Sequence, residues 1–267
     1  MTSTKQLDVI SFTKYSACGN DFLLFETDFI PNKAALSSLC TRRTGVGADG
    51  IIFVCPSDSC DRMMRIFNAD GNEAEMCGNG IRCVAHYIFD SGIAEKKCQI
   101  ESMHRIHTAT KQNELIHITM GPPQDIIWET NIAGHQLTTL NTGVPHAVLF
   151  KEDIDKVNLE ILGKELQKRP EFAPNSINVN IAEQHHNTLR VRTFERGVGE
   201  TLACGTGATA TAIAASYKFK IPPPISVMLK SGDTLTIDFT IESNKIDNVS
   251  MTGPCKVIYK GTIEKLL

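Results

Sequence analysis

The chain has 267 residues, 42% of them hydrophobic and 21% charged, with 27 basic against 30 acidic side chains and a net charge of −3. That length buries a real core in one large domain or two ordinary ones, and the charge balance leaves no basic footprint for nucleic acid or an anionic membrane. No apolar run approaches the roughly 18 residues that a transmembrane helix needs, and MTSTKQLDVI lacks the apolar core of a signal peptide, so the expected location is the cytoplasm.

In chain order, FLLFE (22–26) predicts a strand and Lys33–Arg43 a helix. GVGADG (45–50) satisfies the letter of a dinucleotide-binding glycine pattern, but it follows a helix and precedes a strand, the reverse of what that site requires. It reads as a tight turn lining a cleft. Strands are predicted at GIIFVC (50–55) and RMMRIFN (62–68), and a helix after Cys77. Further strands are predicted at ELIHITM (114–120), HAVLF (146–150), SINVNIA (176–182) and TLRVRTFE (188–195), with a helix at Leu159–Lys168. A helix after Cys204 is followed by strands ISVML, TLTIDFTI and VSMTG, the first two split by the turn KSGD and the last two by ESNKIDN.

The stretches around Cys77 and Cys204 superpose without a gap at a spacing of 127 residues, pairing Arg65 with Arg192, Phe67 with Phe194, Glu73 with Glu200, Gly78 with Gly205 and Gly80 with Gly207. GNDFLLF and GVPHAVLF, further upstream, pair more loosely. An internal duplication accounts for this, and the long spacing excludes a short-period solenoid. The run after Cys204, ATATAIAAS, has no polar face beyond threonine, and a helix apolar all round is buried. Each half is therefore expected to be a curved sheet wrapped around one central helix, in a mixed α/β fold of two similar domains.

Of nine cysteines, Cys55/Cys60 and Cys77/Cys83 are the closest pairs, and neither has an adjacent histidine, so no metal site is expected. Cys77 and Cys204 differ from the rest by their glycine setting at a helix start. A helix N-terminus carries unpaired N–H groups and about half a positive charge. It binds carboxylates and lowers a thiol's pKa. Two such thiols in duplicated halves suggest a cleft between the domains with a thiol on either side of one ligand, an arrangement suited to inverting a carbon by proton removal on one face and return on the other. Mild oxidation is then expected to link the pair. A thiol-redox protein is the rival reading, but such proteins hold both cysteines in one short motif. Glu73 and Glu200, four residues before each cysteine, read as helix-start carboxylates.

KYSACGNDF, RRTGVGADG, RIFNADGNEAEMCGNGIRC, TGVPHAV, NVN and FERGVGETLACGTGA together resemble diaminopimelate epimerase, from Lys14 to Tyr259. The resemblance implies an isomerase that uses neither pyridoxal phosphate nor metal and converts LL- to meso-diaminopimelate for lysine and peptidoglycan synthesis. It implies two α/β domains, 1–119 with the returning tail 256–267, and 120–255. Matched motif by motif, Cys77 and Cys204 are the acid/base pair, and His146 and Glu195 tune the thiols. Asn20, Asn68, Gly78, Asn79, Asn178, Glu195, Arg196, Gly205 and Thr206 bind substrate, and Tyr259 falls at a homodimer contact. Gly50 stands where the family commonly has a substrate-binding glutamine, and Val144 where it has an asparagine. Both departures loosen the expected hold on the distal end of the substrate, and a racemase of broader choice, or one like proline racemase, is the alternative within enzymes.

Overall fold

The computed structural model describes residues 9–74, 76–103, 105–185, 188–243 and 245–264. In chain order its first elements are β1 (Val9–Ala17), β2 (Asn20–Glu26), α1 (Lys33–Cys40), β3 (Gly50–Cys55), β4 (Arg62–Asn68), β5 (Glu73–Ala74), α2 (Gly78–Asp90), β6 (Lys97–Ser102) and β7 (Arg105–Gln112). Next come β8 (Leu115–Thr119), β9 (Gln124–Ile132), β10 (His135–Asn141), β11 (Pro145–Phe150), α3 (Leu159–Gln167), β12 (Asn178–His185), β13 (Thr188–Glu195) and β14 (Gly199–Thr201). The chain continues through α4 (Gly205–Phe219), β15 (Ile225–Met228), β16 (Thr234–Glu242) and β17 (Lys245–Pro254) to β18 (Lys256–Glu264). Two compact units result, Met1–Glu114 with Cys255–Leu267, and Leu115–Pro254.

In the first unit the strands pair in the order β18, β1, β2, β3, β4, β6, β7, with the short β5 also on β4. The parallel pairs β2–β3 and β4–β6 need crossovers, which α1 and α2 supply. The helix α2 touches β1, β2, β3, β4, β6 and β7. Six flat strands would span about 24 Å, roughly twice the width of a helix, so the sheet curls around it. Residues Gly78 to Ala85 of α2 are all buried.

The second unit repeats this plan. Its order is β9, β10, β11, β12, β13, β15, β16, β17, β8, with β14 on β13, and β11–β12 and β13–β15 parallel. The helix α4 touches β10, β11, β12, β13, β15 and β16 and is buried from Gly205 to Ser216. Register makes the duplication residue-specific. Leu23 faces Ile51 and Ile51 faces Phe67 in one unit, as Ala147 faces Val179 and Val179 faces Phe194 in the other. By the same count Phe22, Ile52 and Ile66 correspond to His146, Asn180 and Thr193.

Glu73 and Glu200 are not helix-start carboxylates. Each forms a two-pronged ion pair with the arginine of its own hairpin: Arg65 with Glu73 at 2.7 and 2.8 Å, Arg192 with Glu200 at 2.8 and 3.0 Å. They clip β5 to β4 and β14 to β13. The segment ESNKIDN is mostly strand, since β17 begins at Lys245. The predicted helix at Lys33–Arg43 ends at Cys40, where Thr41 turns to extended backbone.

The glycine-rich turn after α1 closes that helix and does not open one. Gly45, Gly47 and Ala48 donate their N–H groups to the carbonyls of Thr41, Leu39 and Cys40, at 2.9 to 3.0 Å, satisfying acceptors that a helix end leaves unpaired. A Cβ on Gly45 would stand 2.1 Å from the Ser38 carbonyl oxygen and 2.8 Å from that of Leu39. Only glycine fits there.

Candidate active site

In the first unit a two-residue turn, Cys18 (φ 58°) and Gly19 (φ 82°), joins β1 to β2; positive φ at both positions matches the twist of the hairpin. It delivers Asn20 beside the start of α2. The Asn20 Nδ2 donates to Asp49 Oδ2 at 2.9 Å, which turns its Oδ1 toward the helix, 3.4 Å from Asn79 Nδ2 and 4.0 Å from Cys77 Sγ. Asp49 is paired with Arg42 at 2.7 Å, Arg42 with Asp21 at 2.7 Å, and Asp21 with Lys14 at 2.8 Å. Burial works against the Asp21 carboxylate, but donation from Arg42 and Lys14 holds its pKa down to about 2.

Cys77 is the extended residue immediately before α2, and its Sγ accepts the Gly80 N–H at 3.4 Å. Behind it lies Arg82, fully buried. Its guanidinium donates to Asn79 Oδ1 at 2.7 Å and to Cys18 Sγ at 3.3 Å. The structure thus gathers Asn20, Gly78 and Asn79 around Cys77. Asn68 does not bond to that group: it is the exposed last residue of β4, opposite Gly50, with its N–H on Asn72 O.

In the second unit Cys204 holds the same place before α4, in extended backbone. Its Sγ lies 3.4 Å from the Thr206 hydroxyl, and that oxygen lies 2.9 Å from His146 Nε2. Glu195, at the end of β13, accepts the Thr201 hydroxyl at 2.6 Å and hydrogen-bonds to Cys204. Burial raises the Glu195 pKa, and its bonds to Thr201 and Cys204 only partly offset this. His146 is fully buried, and burial, aided by the charge of Arg196, lowers its pKa to about 3. Asn178 faces His146 across β11 and β12 and uses its Oδ1 to hold the Arg196 N–H at 2.9 Å, while Arg196 Nη1 reaches Asn175 O at 2.6 Å.

The expectation that a helix start lowers the thiol pKa fails for Cys204. Burial pushes it well above its ordinary value, the Glu195 charge adds to that, and the Thr206 hydrogen bond only pulls part of the way back. Desolvation outweighs the helix field here. Gly205 and Thr206 are buried with it. Gly50 also has a steric reason: a Cβ there would lie 2.6 Å from the Phe67 carbonyl oxygen. Tyr259 is 42% exposed on β18, edge-on to Phe12 at 5.9 Å.

Gly207 is a strict requirement of a different kind. Its Cβ would stand 2.4 Å from Asn180 Oδ1, whereas at Gly80 the nearest obstacle is the Ile66 methyl end at 2.9 Å. Gly207→Ala is therefore expected to destabilise the protein by about 1–3 kcal/mol, and Gly80→Ala by less, since an isoleucine end can rotate away. Urea unfolding of both variants checks the order; equal losses would refute it.

Sequence reasoning missed Asp49, Arg82 and Asn180. Only Arg82 left a signal, as a cation inside an otherwise apolar helical run.

A family model described as diaminopimelate epimerase matches residues 12–126 and 138–258. The diaminopimelate epimerase of Methanocella arvoryzae is 37% identical, covering 96% of this chain and 97% of that protein. That of Aquifex aeolicus is 34% identical, covering 96% and 98%. Among solved structures, a Bacillus anthracis phenazine biosynthesis protein of the PhzF family has a TM-score of 0.75 at 17% identity, covering 96% of this chain and 99% of that one. A hydroxyproline epimerase from Agrobacterium vitis, with bound trans-4-hydroxy-L-proline, has a TM-score of 0.71 at 14% identity, covering 98% and 94%. At these identities the structures speak to the fold.

Proposed function

The chain belongs to the diaminopimelate epimerase family, and we propose that it inverts one α-carbon of 2,6-diaminopimelate with Cys77 and Cys204 as the acid/base pair. The observation that carries this reading is that each unit places one cysteine immediately before a buried helix with its N–H groups free of intrahelical partners. The enzyme is an isomerase that interconverts the LL and meso forms, a step of lysine and peptidoglycan precursor synthesis.

In the proposed course the substrate carboxylate is held by donors at Gly78–Asn79 and Gly205–Thr206, where helix fields favour an anion. One thiolate takes the α-proton, and charge on the carbanion spreads into that carboxylate. The other thiol gives its proton to the opposite face. Each turnover exchanges the two sulfurs' protonation states, so the same pair serves both directions, with His146 and Glu195 tuning the second thiol. Asn20, Asn68, Asn178, Glu195 and Arg196 hold the amino and distal ends. No metal or pyridoxal phosphate enters these steps. We assign the work to the cytoplasm, where thiols stay reduced, and to a homodimer with Tyr259 at the contact.

In deuterium oxide, LL-diaminopimelate is expected to gain deuterium at the inverted α-carbon. Given Gly50 and Val144, an amino acid with a single α-centre, such as lysine, is expected to exchange slowly. Absence of exchange on diaminopimelate would overturn the assignment. Inactivity on lysine and glutamate alone would overturn only the looser pocket.

A further inference from the structure

The two cysteines sit in unlike surroundings, and the difference lies in three core positions. Phe22, Ile52 and Ile66 of the first unit are replaced in the second by His146, Asn180 and Thr193. All three are buried, His146 and Asn180 completely. Polar groups in such a place cost stability unless every one is satisfied, and a homologous unit manages with apolar ones. The substitution has a purpose that packing does not supply.

The bonds show what it is. Asn180 Nδ2 lies 3.1 Å from the Ala147 carbonyl oxygen, and Thr193 donates its hydroxyl to Asn180 Oδ1 at 2.9 Å. A backbone carbonyl can only accept, so the amide cannot be turned over. The same Nδ2 lies 3.0 Å from His146 Nδ1. That ring nitrogen must therefore be the bare acceptor, and the proton of the neutral imidazole must sit on Nε2. Nε2–H donates to Thr206 Oγ1 at 2.9 Å. Held by that donor, the Thr206 hydroxyl lies 3.4 Å from Cys204 Sγ; a thiolate sulfur can only accept, so against that form the hydroxyl is the donor.

Resting on the epimerase reading, we infer that Asn180 is a positioning residue, which fixes the His146 tautomer and so holds the Thr206 hydroxyl as a donor to the Cys204 thiolate. A fixed donor favours the thiolate, the form Cys204 must take when it acts as base. It opposes the Glu195 carboxylate, which disfavours that form; Arg196 is the other charge acting on His146. Around Cys77 the arrangement is different: Asn20 turns an acceptor, its Oδ1, toward the sulfur, and Arg82 donates to Asn79 and Cys18.

The tautomer can be read without turnover. In ¹⁵N spectra of histidine-labelled protein, with His146→Asn used for assignment, His146 is expected to show a protonated Nε2 and a bare Nδ1 that do not titrate from about pH 5 to 8. An Nδ1–H tautomer, or titration in that range, would overturn the inference and leave the epimerase reading untouched. Failure of wild-type exchange on diaminopimelate would overturn that reading instead. Asn180→Leu is expected to lower kcat about tenfold or more, change KM little, and move the limb of the rate profile that rises with pH to higher pH. Combined with Thr206→Val, the loss should be far less than the product of the two single losses. Multiplicative losses with an unmoved profile would mean that Asn180 is only structural.

Discussion

Cys77→Ala and Cys204→Ala are each expected to reduce epimerisation of diaminopimelate by about 10²–10⁴-fold, the usual contribution of an acid/base group. Inversion needs both a proton acceptor and a donor, so either deletion breaks the cycle. The two variants should still differ from a dead enzyme. A remaining thiol can remove and return a proton on its own face, washing solvent deuterium into one isomer without forming the other. Net inversion and isotope exchange, measured side by side, separate these cases. The fold should survive, since the bonds lost, such as those to Gly80 N–H and Asn20 at Cys77 and to Thr206 and Glu195 at Cys204, lie at the helix starts and leave the helical backbone bonds in place. Near-normal inversion in either variant would remove the two-thiol mechanism.

Gly45→Ala is expected to destabilise the protein by about 3 kcal/mol. The obstacle at 2.1 Å is the backbone oxygen of Ser38, with those of Leu39 and Thr41 at 2.8 and 3.0 Å. None can rotate out of the way as a side chain could. Relief requires pulling the turn off α1, which breaks the bonds from Gly45, Gly47 and Ala48 to the helix carbonyls. The Lys14 ammonium also donates to Gly47 O, so the disturbance reaches the ion pairs that orient Asn20. A clear drop in the unfolding midpoint with an unchanged denaturant slope is the expected result. A midpoint within experimental error of wild type would show the turn to be pliable.

The buried parts of this fold were readable from the sequence, and the edges were not. GIIFVC announces itself because a strand covered on both faces carries an apolar run, and RMMRIFN and TLRVRTFE because their buried positions are β-branched or apolar. The strands β1, β9 and β18 are polar and partly exposed, and β1 draws its register from β18, at the far end of the chain; no local window contains that information. The hairpins β4–β5 and β13–β14 explain the misreading of Glu73 and Glu200. Strands of two and three residues are too short to recognise, yet they bring each carboxylate onto its arginine. At the site, the repeated glycine setting exposed both cysteines. Asn180 looks like any strand asparagine until its side chain is seen bonded to His146 and to the Ala147 carbonyl of the neighbouring strand.

The pairing of β1 with β18 also sets an order of events during synthesis. The partner of β1 is encoded after the whole of the second unit. At about 5–20 residues per second the ribosome needs roughly 10–50 s to deliver it. Through that interval one side of β1 is an open edge, with unpaired N–H and C=O groups available to any other extended chain. In the second unit the longest such wait, that of β8 for β17, is about half as long at the same rate. The unit that leaves the ribosome first is the last to be finished, and β1 is where a chaperone would have to stand guard.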